Sequence, residues 1–400
     1  MLNRRQLLQQ SVLLSLSPIV PAFLTRTAQA AGNEKDRRIL VVLQLDGGND
    51  GLNTVVPYRD EHYAKLRPKL QIKTDRLIKV NGEIGLHPAL KPTAKLLDAG
   101  RMAIVQGVGY PNPNRSHFVS MSIWQTARLQ ESEHGQYGWL GRALDVGAEP
   151  ENAPQGILVG SGSVPVTLWG RRSTIASVRS LEDLALAAPA GIMRAAAGKP
   201  SGELARWAAD ASDSAFSTVE RLSALAGHDS PSSKSGYPDS QLAQQLQLVA
   251  KLIRSGSTAR VYYAVQTGYD THATQQYVHY DLLRDLADRL KAFVDDLTVD
   301  RLADRVLVLA FSEFGRRAAE NDSEGTDHGA AAPLILAGPT FAQGILGPTP
   351  NLADLQDGDV KMGIDFRQVY ATILDQWLAV RPEEVLSTHF ERLPLFKSQS

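Results

Sequence analysis

Two short stretches, Tyr269-Asp270-Thr271-His272 and Gly325-Thr326-Asp327-His328-Gly329, set a carboxylate beside an imidazole among turn-forming residues. Hard divalent cations prefer carboxylate oxygen and zinc also accepts imidazole nitrogen, so mixed Asp/His sets can supply ligands at about 2.0 to 2.2 Å. One such pair is ordinary turn chemistry. Two pairs, joined by Asp46 in the acidic turn Asp46-Gly47-Gly48-Asn49-Asp50-Gly51, make a metal site the leading expectation. The candidate ligands are Asp46, Asp270, His272, Asp327 and His328, and the ion is zinc, calcium, magnesium or manganese, one or two in number. A two-metal site about 3.5 to 4 Å across needs about this many ligands and suits displacement at phosphorus or sulfur.

A second constellation, Asn112-Pro113-Asn114-Arg115-Ser116-His117, opens a helix-period segment. Unsatisfied N–H groups there favour an anion and help lower a hydroxyl pKa, which makes Ser116 a candidate nucleophile; a helix-capping serine is an equal alternative. Arg115 can grip an oxyanion with two donors, and His117 can bind metal or move protons. Arg316 and Arg317 read either as further anion grips or as a solvated charge pair, and Glu313 as a ligand, as a carboxylate orienting one, or as a turn residue. His87, ahead of Pro88, reads as a cap or packing residue. Asn49 and Asp50 stay open between supporting the site and shaping the turn, and His389 is a late histidine that a site of this kind could use.

Something must hold these groups together, and the apolar runs suggest what. The segments 38–45, 101–109, 156–160, 259–268, 305–315 and 332–338 read as strands. Several are apolar on consecutive positions, as in strands buried on both faces of a parallel sheet. Segments 87–100, 116–128, 240–256 and 277–297 carry apolar residues at helical spacing. This alternation predicts an α/β three-layer sandwich around a mostly parallel central sheet. Ligands in such folds bind beyond the carboxyl ends of the strands, which is where most of the candidates fall. An alanine-rich stretch from 180 to 225, followed by the polar "AGHDSPSSKSGYPDS", reads as a helical insertion and loop over about 180–240.

Composition narrows the function classes. The chain has 400 residues, 43% hydrophobic and 21% charged, with 42 basic residues against 43 acidic. No overall field points to nucleic acid or an anionic membrane surface. The absence of cysteine excludes disulfides, thiolate zinc, iron-sulfur clusters and a cysteine nucleophile. Residues 1–30 hold Arg4-Arg5, an apolar run and Ala28-Gln29-Ala30, with no acidic residue. They read as an export signal of twin-arginine type, with a general secretion signal or an uncleaved anchor as alternatives. Pro18 and Pro21 in a short apolar core argue against a stable membrane span. Removal of the segment takes the formal charge from -1 to -4.

The segments "VVLQLDGGNDGLNTVVPY", "GLHPAL", "GVGYPNPNRSHFVSMSIWQTA", "GWLGR", "GYDTH", "FSEFGRR", "NDSEGTDHGAAAPLILAG" and "DFRQVYATILDQWL" resemble the exported bacterial proteins grouped as domain of unknown function 1501, within the alkaline phosphatase and sulfatase superfamily. The resemblance covers essentially the whole chain after residue 30 and implies one alkaline phosphatase-like domain over 31–400. It implies Asp46 as first ligand, Asp270 and His272 as a separated pair, Asp327-His328 as an adjacent pair, and Ser116 as nucleophile. One residue separates Asp270 from His272 where phosphatases have a wider gap, and only His389 stands as a late histidine. The serine lacks the "C/S-x-P-x-R" setting of sulfatases, so formylglycine chemistry is not expected.

Taken together, the expectation is a periplasmic or otherwise exported metal-dependent hydrolase of a phosphate or sulfate ester, its substrate a small-molecule or polymer-linked anionic ester, its export partner the twin-arginine machinery. A non-catalytic metal-binding envelope protein on the same fold and a metal-free serine esterase using Ser116 are the alternatives.

Overall fold

Each of the six expected strands forms, within a residue or two of its expected ends except where noted. The structure, a computed structural model, describes residues 37–130, 137–146, 155–173, 175–179, 239–257 and 259–397. The expected signal at 1–30 and all but the last two residues of the expected insertion at 180–240 lie outside the described residues.

In chain order the strands are β1 (Ile39–Asp46), β2 (Val55–Val56), β3 (Ile78–Lys79), β4 (Gly85–Leu86), β5 (Met102–Gly109), β6 (Gly156–Val159), β7 (Ile175–Val178), β8 (Val261–Thr267), β9 (Val306–Phe311), β10 (Ala332–Ala337), β11 (Ile345–Leu346) and β12 (Ile364–Asp365). The main sheet runs β11-β5-β10-β9-β1-β8-β6-β7, with β12 also beside β5, while β2, β4 and β3 form a small antiparallel sheet. All strands of the main sheet share one direction except β10, which runs antiparallel to both β9 and β5. β9 stops at Phe311, earlier than its apolar run predicts. There Ser312 turns its hydroxyl to the end of β1 and the turn that follows it, donating to the Leu45 carbonyl and accepting from the Asn49 N–H at 2.8 Å.

The helices that matter here are α1 (Lys91–Asp98), α2 (His117–Thr126), α3 (Trp139–Val146), α4 (Gln241–Arg254), α5 (Gln275–Val299) and α6 (Phe366–Thr372). β1 explains the layering. Its odd residues Ile39, Val41, Leu43 and Leu45 share one core with Leu96 of α1, Val249 of α4 and Phe293 of α5. Its even residues Leu40 and Val42 join the opposite core with Trp124 of α2, Leu140 of α3 and Tyr370 of α6. A strand buried on both faces has no polar side to show, which is why its sequence is a run rather than an alternation. The fold is thus the expected α/β sandwich with a mostly parallel sheet.

Candidate metal centre

β1, β8 and β9 are neighbours, so the chain leaving each emerges at one edge, with Asp46 directly opposite Thr267. β10 enters the sheet from that same edge because it runs the other way. The residues before it, not after it, therefore face the site. Beyond β9 the chain continues as a narrow ribbon: the Gly315 N–H donates to Ala330 O at 2.8 Å, the Arg317 N–H to Asp327 O at 3.0 Å, and Arg316 stands opposite His328. Gly47 sits where β1's turn meets β8's. Its φ is +117°, and a Cβ there would lie 2.4 Å from the Asp270 nitrogen. Only glycine permits this approach.

Three donor atoms meet at this edge. His272 Nε2 lies 2.9 Å from His328 Nε2, and Asp270 Oδ1 lies 3.0 Å from the first and 3.1 Å from the second. The other ring nitrogens fix the tautomers. His328 Nδ1 is 2.7 Å from the Arg115 carbonyl and His272 Nδ1 is 3.2 Å from Asp327 Oδ1, both acceptors, so each Nδ1 carries the proton. Burial holds His328 below its ordinary pKa of 6.5, which keeps the ring neutral near pH 7. Both Nε2 atoms then aim lone pairs at the Asp270 oxygen. Three lone-pair atoms so close repel one another unless a cation is shared among them. For zinc–nitrogen bonds of about 2.0 to 2.1 Å, tetrahedral donors sit about 3.3 Å apart, within a few tenths of an ångström of this spacing. The donor set fits a divalent cation, and two imidazoles with one carboxylate suit zinc or another imidazole-accepting metal better than calcium or magnesium.

His117 completes the group: its ligand atom and those of Asp270 and His328 all lie within 4.8 Å of one another, and His117 Nε2 is 3.5 Å from Asp270 Oδ2. Its Nδ1 is 2.7 Å from Glu313 Oε1, so Glu313 orients the ring in the way carboxylates orient metal-binding histidines. Glu313 is buried and also accepts from the Gly47 N–H at 3.0 Å. Burial raises its pKa above the usual 4.5, the His117 hydrogen bond pulls it down, and the Asp46 charge adds to the rise.

The remaining expected ligands, Asp327 and Asp46, are not among these converging donors. Asp327 reaches the cluster through His272 and is itself held by Asn321 Nδ2 at 3.1 Å. Asp46 accepts at 2.7 Å from Gln44 Nε2, whose oxygen accepts at 2.5 Å from the Tyr263 hydroxyl. Burial, with the charges of Asp46 and Glu313, keeps that phenol protonated. Among the described residues the convergent donors make one centre rather than two.

Ser116 is exposed and occupies the N-cap position of α2 with no side-chain capping bond, so its hydroxyl is not used for the cap. Arg115 does not stand free. Its Nε and Nη2 both donate to the buried carboxylate of Asp359, at 2.9 and 2.5 Å, and Arg317 Nε lies 3.9 Å from the other Asp359 oxygen. Arg316 is neither an open anion grip nor a solvated charge. It is buried, donates to the carbonyls of Gly47, Gly48, Tyr269 and Thr326, and reaches Asp270 Oδ1 at 2.7 Å. Burial opposes ionisation of Asp270, but the hydrogen bond and charge of Arg316 outweigh it and hold its pKa below the ordinary 3.8.

A profile described as "Protein of unknown function (DUF1501)" matches residues 37–392. The chain belongs to that family. No curated protein matches this DUF1501 chain at a significant level. Solved structures share its architecture distantly. The PsFucS1 sulfatase of Pseudoalteromonas sp. is 10% identical, covers 93% of this chain and 74% of its own, and has a TM-score of 0.42. The C-terminal periplasmic domain of EcEptC from Escherichia coli, in complex with Zn, is 9% identical over 92% and 93%, with a TM-score of 0.41. A TAB5 alkaline phosphatase mutant with Mg bound is 9% identical over 76% and 92%, with a TM-score of 0.36. Likeness at that level concerns fold and says nothing of activity.

Within this DUF1501 site, several supporting residues escaped the sequence reading. Gln44 has a signal: it is the one polar residue in "ILVVLQLD" before Asp46 and shares Asp46's face, two positions on. Asp359, Gln275 and Arg67 have none. The open choice at Asp50 resolves toward structure, since it caps residues 51–54 and pairs with Arg67 Nη1 at 2.6 Å, both side chains fully buried. Arg67 and lesser hydrogen bonds outweigh the burial and hold the Asp50 pKa below 3.8. Asn49 accepts from His279 Nε2 at 2.9 Å. His87 accepts the Ala89 N–H at 3.1 Å as a cap, and His389 pairs with Glu383.

Proposed function

We propose that this chain is an exported, metal-dependent hydrolase of a phosphate or sulfate ester. The observation that supports the reading most is the mutual approach of Asp270 Oδ1, His272 Nε2 and His328 Nε2 at 2.9 to 3.1 Å. Asp270, His272 and His328 would hold the ion, with His117 as a further ligand, Glu313 and Asp327 orienting two of the rings, and Asp46 next to them. A bound divalent cation supplies Lewis-acid charge that stabilises oxyanions on phosphorus or sulfur. Ser116, exposed at the start of α2, is the proposed nucleophile, with the helix's first N–H groups favouring its ionised form. A guanidinium carries five donors, so the fork of Arg115 on Asp359 leaves N–H groups for the non-bridging oxygens of the substrate. Two arginines, Arg115 and Arg317, face the carboxylate of Asp359, which places two guanidinium groups at that rim where an anionic ester could meet them.

Metal analysis of the purified protein, with turnover of aryl phosphate, phosphodiester and aryl sulfate by wild type, Asp270→Ala and Ser116→Ala, tests the reading. Stoichiometric metal lost in Asp270→Ala and turnover lost in both variants is the expected result. Protein without metal, or variants that match wild type on every substrate, would sink it. A second reading, a non-catalytic metal-binding envelope protein, draws support from Arg115 being committed to Asp359; it predicts metal without turnover. The metal-free esterase predicts turnover that survives chelation and disappears in Ser116→Ala.

Export through the twin-arginine route is part of the same proposal, resting on Arg4-Arg5 and the acid-free apolar segment behind them. No helix among the described residues is long and apolar enough to cross a membrane. Replacing both arginines with lysine should hold the protein in the cytoplasm, as cell fractionation would reveal.

A further inference from the structure

Asp270 and His272 lie on one loop and Asp327 and His328 on another, widely separated in the chain, and one buried amide touches both loops and the turn after Asp46. Gln275, fully buried in the first turn of α5, accepts at Oε1 from the Thr271 hydroxyl at 3.0 Å and from the Thr326 hydroxyl at 2.6 Å. Thr271 immediately precedes His272, and Thr326 immediately precedes Asp327. The same side chain donates through Nε2 to Asp50 Oδ2, 2.5 Å away, in the turn that follows Asp46. A carboxylate only accepts, so the amide has one usable orientation: nitrogen toward Asp50, oxygen toward the two threonines. Asp50 is held in turn by Arg67, whose other donors reach Asn53 and the carbonyls of Ala318 and Arg317.

We infer that Gln275 is a positioning residue for the metal centre, setting the two loops that carry His272 and Asp327-His328 at donor spacing through Thr271 and Thr326. The inference rests on the metal reading of that centre and goes a step beyond it. The backbone agrees with the side chains: the Thr326 N–H donates to Thr271 O at 3.2 Å, so the two loops also bond directly. The Thr274 and Gln275 N–H groups also donate to Ser323 O and Glu324 O, and Asn321 Nδ2 to the His272 carbonyl. The fork from Gln275 adds two more and ties both to the Asp50 turn. None of these residues donates to the cluster itself, and none is exposed, so Gln275 acts only through where it puts its neighbours.

Removing groups that orient metal ligands costs about 10- to 100-fold in metal affinity, and an amide serving two ligand loops should fall in that range. The experiment is titration of metal-free protein with Co(II), read by visible absorption, whose intensity and position report coordination geometry as well as occupancy. Gln275→Met keeps the volume and removes all three hydrogen bonds; it is expected to weaken Co(II) binding at least tenfold and to alter the absorption bands. Thr326→Val removes one hydroxyl at constant shape and should change the bands in the same sense, while Thr326→Ser, which keeps the hydroxyl, should restore them. The Val/Ser contrast stands even where Gln275→Met fails to fold. Wild-type protein that binds no Co(II) overturns the metal reading and this inference with it. Wild type that binds, with Gln275→Met or Thr326→Val matching it in affinity and spectrum, overturns the inference alone.

Discussion

The pair His87 and His279 yields a quantitative prediction about acid stability. Both are buried, their rings 5.9 Å apart edge to face. Burial, with the neighbouring His279, lowers His87 from 6.5 to about 3. Burial lowers His279 to about 4, Arg67 and Arg316 adding to the fall and Asp50 opposing it. Unfolded, each ring takes up a proton near pH 6.5; folded, each resists until about pH 3 or 4. Between these limits the unfolded chain binds more protons, so stability is full above pH 6.5 and is lost as the pH falls toward the folded values. One proton of difference is worth about 1.4 kcal/mol per pH unit, which from pH 7 to pH 5 comes to about 2 kcal/mol for each ring and about 4 for both. The figure depends little on the folded pKa values while both stay below 5. It is a large share of a typical stability of about 5 to 15 kcal/mol.

The shifted carboxylates do not produce this loss. Asp50 is held below 3.8, and Glu313 and Asp359, both raised by burial, gain stability as the pH falls through their folded pKa values, opposite in sign. The assay is urea unfolding followed by tryptophan fluorescence at pH 7 and pH 5 with chelator present. His87→Asn keeps an acceptor for the Ala89 N–H, and His279→Gln keeps a donor for Asn49. Each should remove about half of the wild-type loss, and the double variant should lose most of the acid sensitivity. A double variant as acid-sensitive as wild type would refute the assignment of buried neutral rings.

Three further outcomes follow from the geometry. Gly47→Ala places a methyl against the Asp270 nitrogen at a positive φ and should cost about 1 to 3 kcal/mol by calorimetry while abolishing metal uptake, since relief of the clash moves Asp270. Glu313→Gln leaves His117 without its carboxylate and should lower metal affinity about 10- to 100-fold in a competition titration with a chelating dye. Asp359→Asn removes the charge that opposes Arg115 and should lower KM for an aryl phosphate about two- to fivefold, the scale of one partly exposed ion pair; an unchanged or raised KM would argue against Arg115 as an anion contact.

Much of this was legible before any coordinates. β1, β5, β8 and β9 are apolar runs because both faces are covered, and that local signature survives any context. The placing of Asp270 and Glu313 beyond their strands follows from the same logic. The direction of β10 does not: "APLILA" reads alike whichever way it runs, and direction is set by the ribbon that precedes it. That is why His328 reaches the cluster from the start of a strand, whereas Asp46, at the end of β1, is turned toward Gln44. Asp359, lying in a loop far along the chain, gives no local hint that it meets Arg115. Gln275 reads like any polar residue opening a helix; only the long-range closure of three loops makes it special. Arg316 reads in sequence as an anion grip or a solvated charge because both are common for adjacent arginines, and four carbonyls drawn from distant segments make it a staple instead.

The place of β1 in the sheet has a consequence for how the protein is made. Its two neighbours are β8 and β9, and Leu40 pairs with Val261, more than 200 residues later in the chain. The first strand to leave the ribosome is therefore among the last to find its partners. At a synthesis rate of about 5 to 20 residues per second, its apolar residues wait roughly 10 to 45 s with both edges open. During that time the segment is a sticky, strand-forming stretch near the start of the chain. Something must keep it from pairing with other chains until β8 arrives, and the candidate donors Asp270, His272 and His328, all later in the chain than Val261, can converge only after the wait is over.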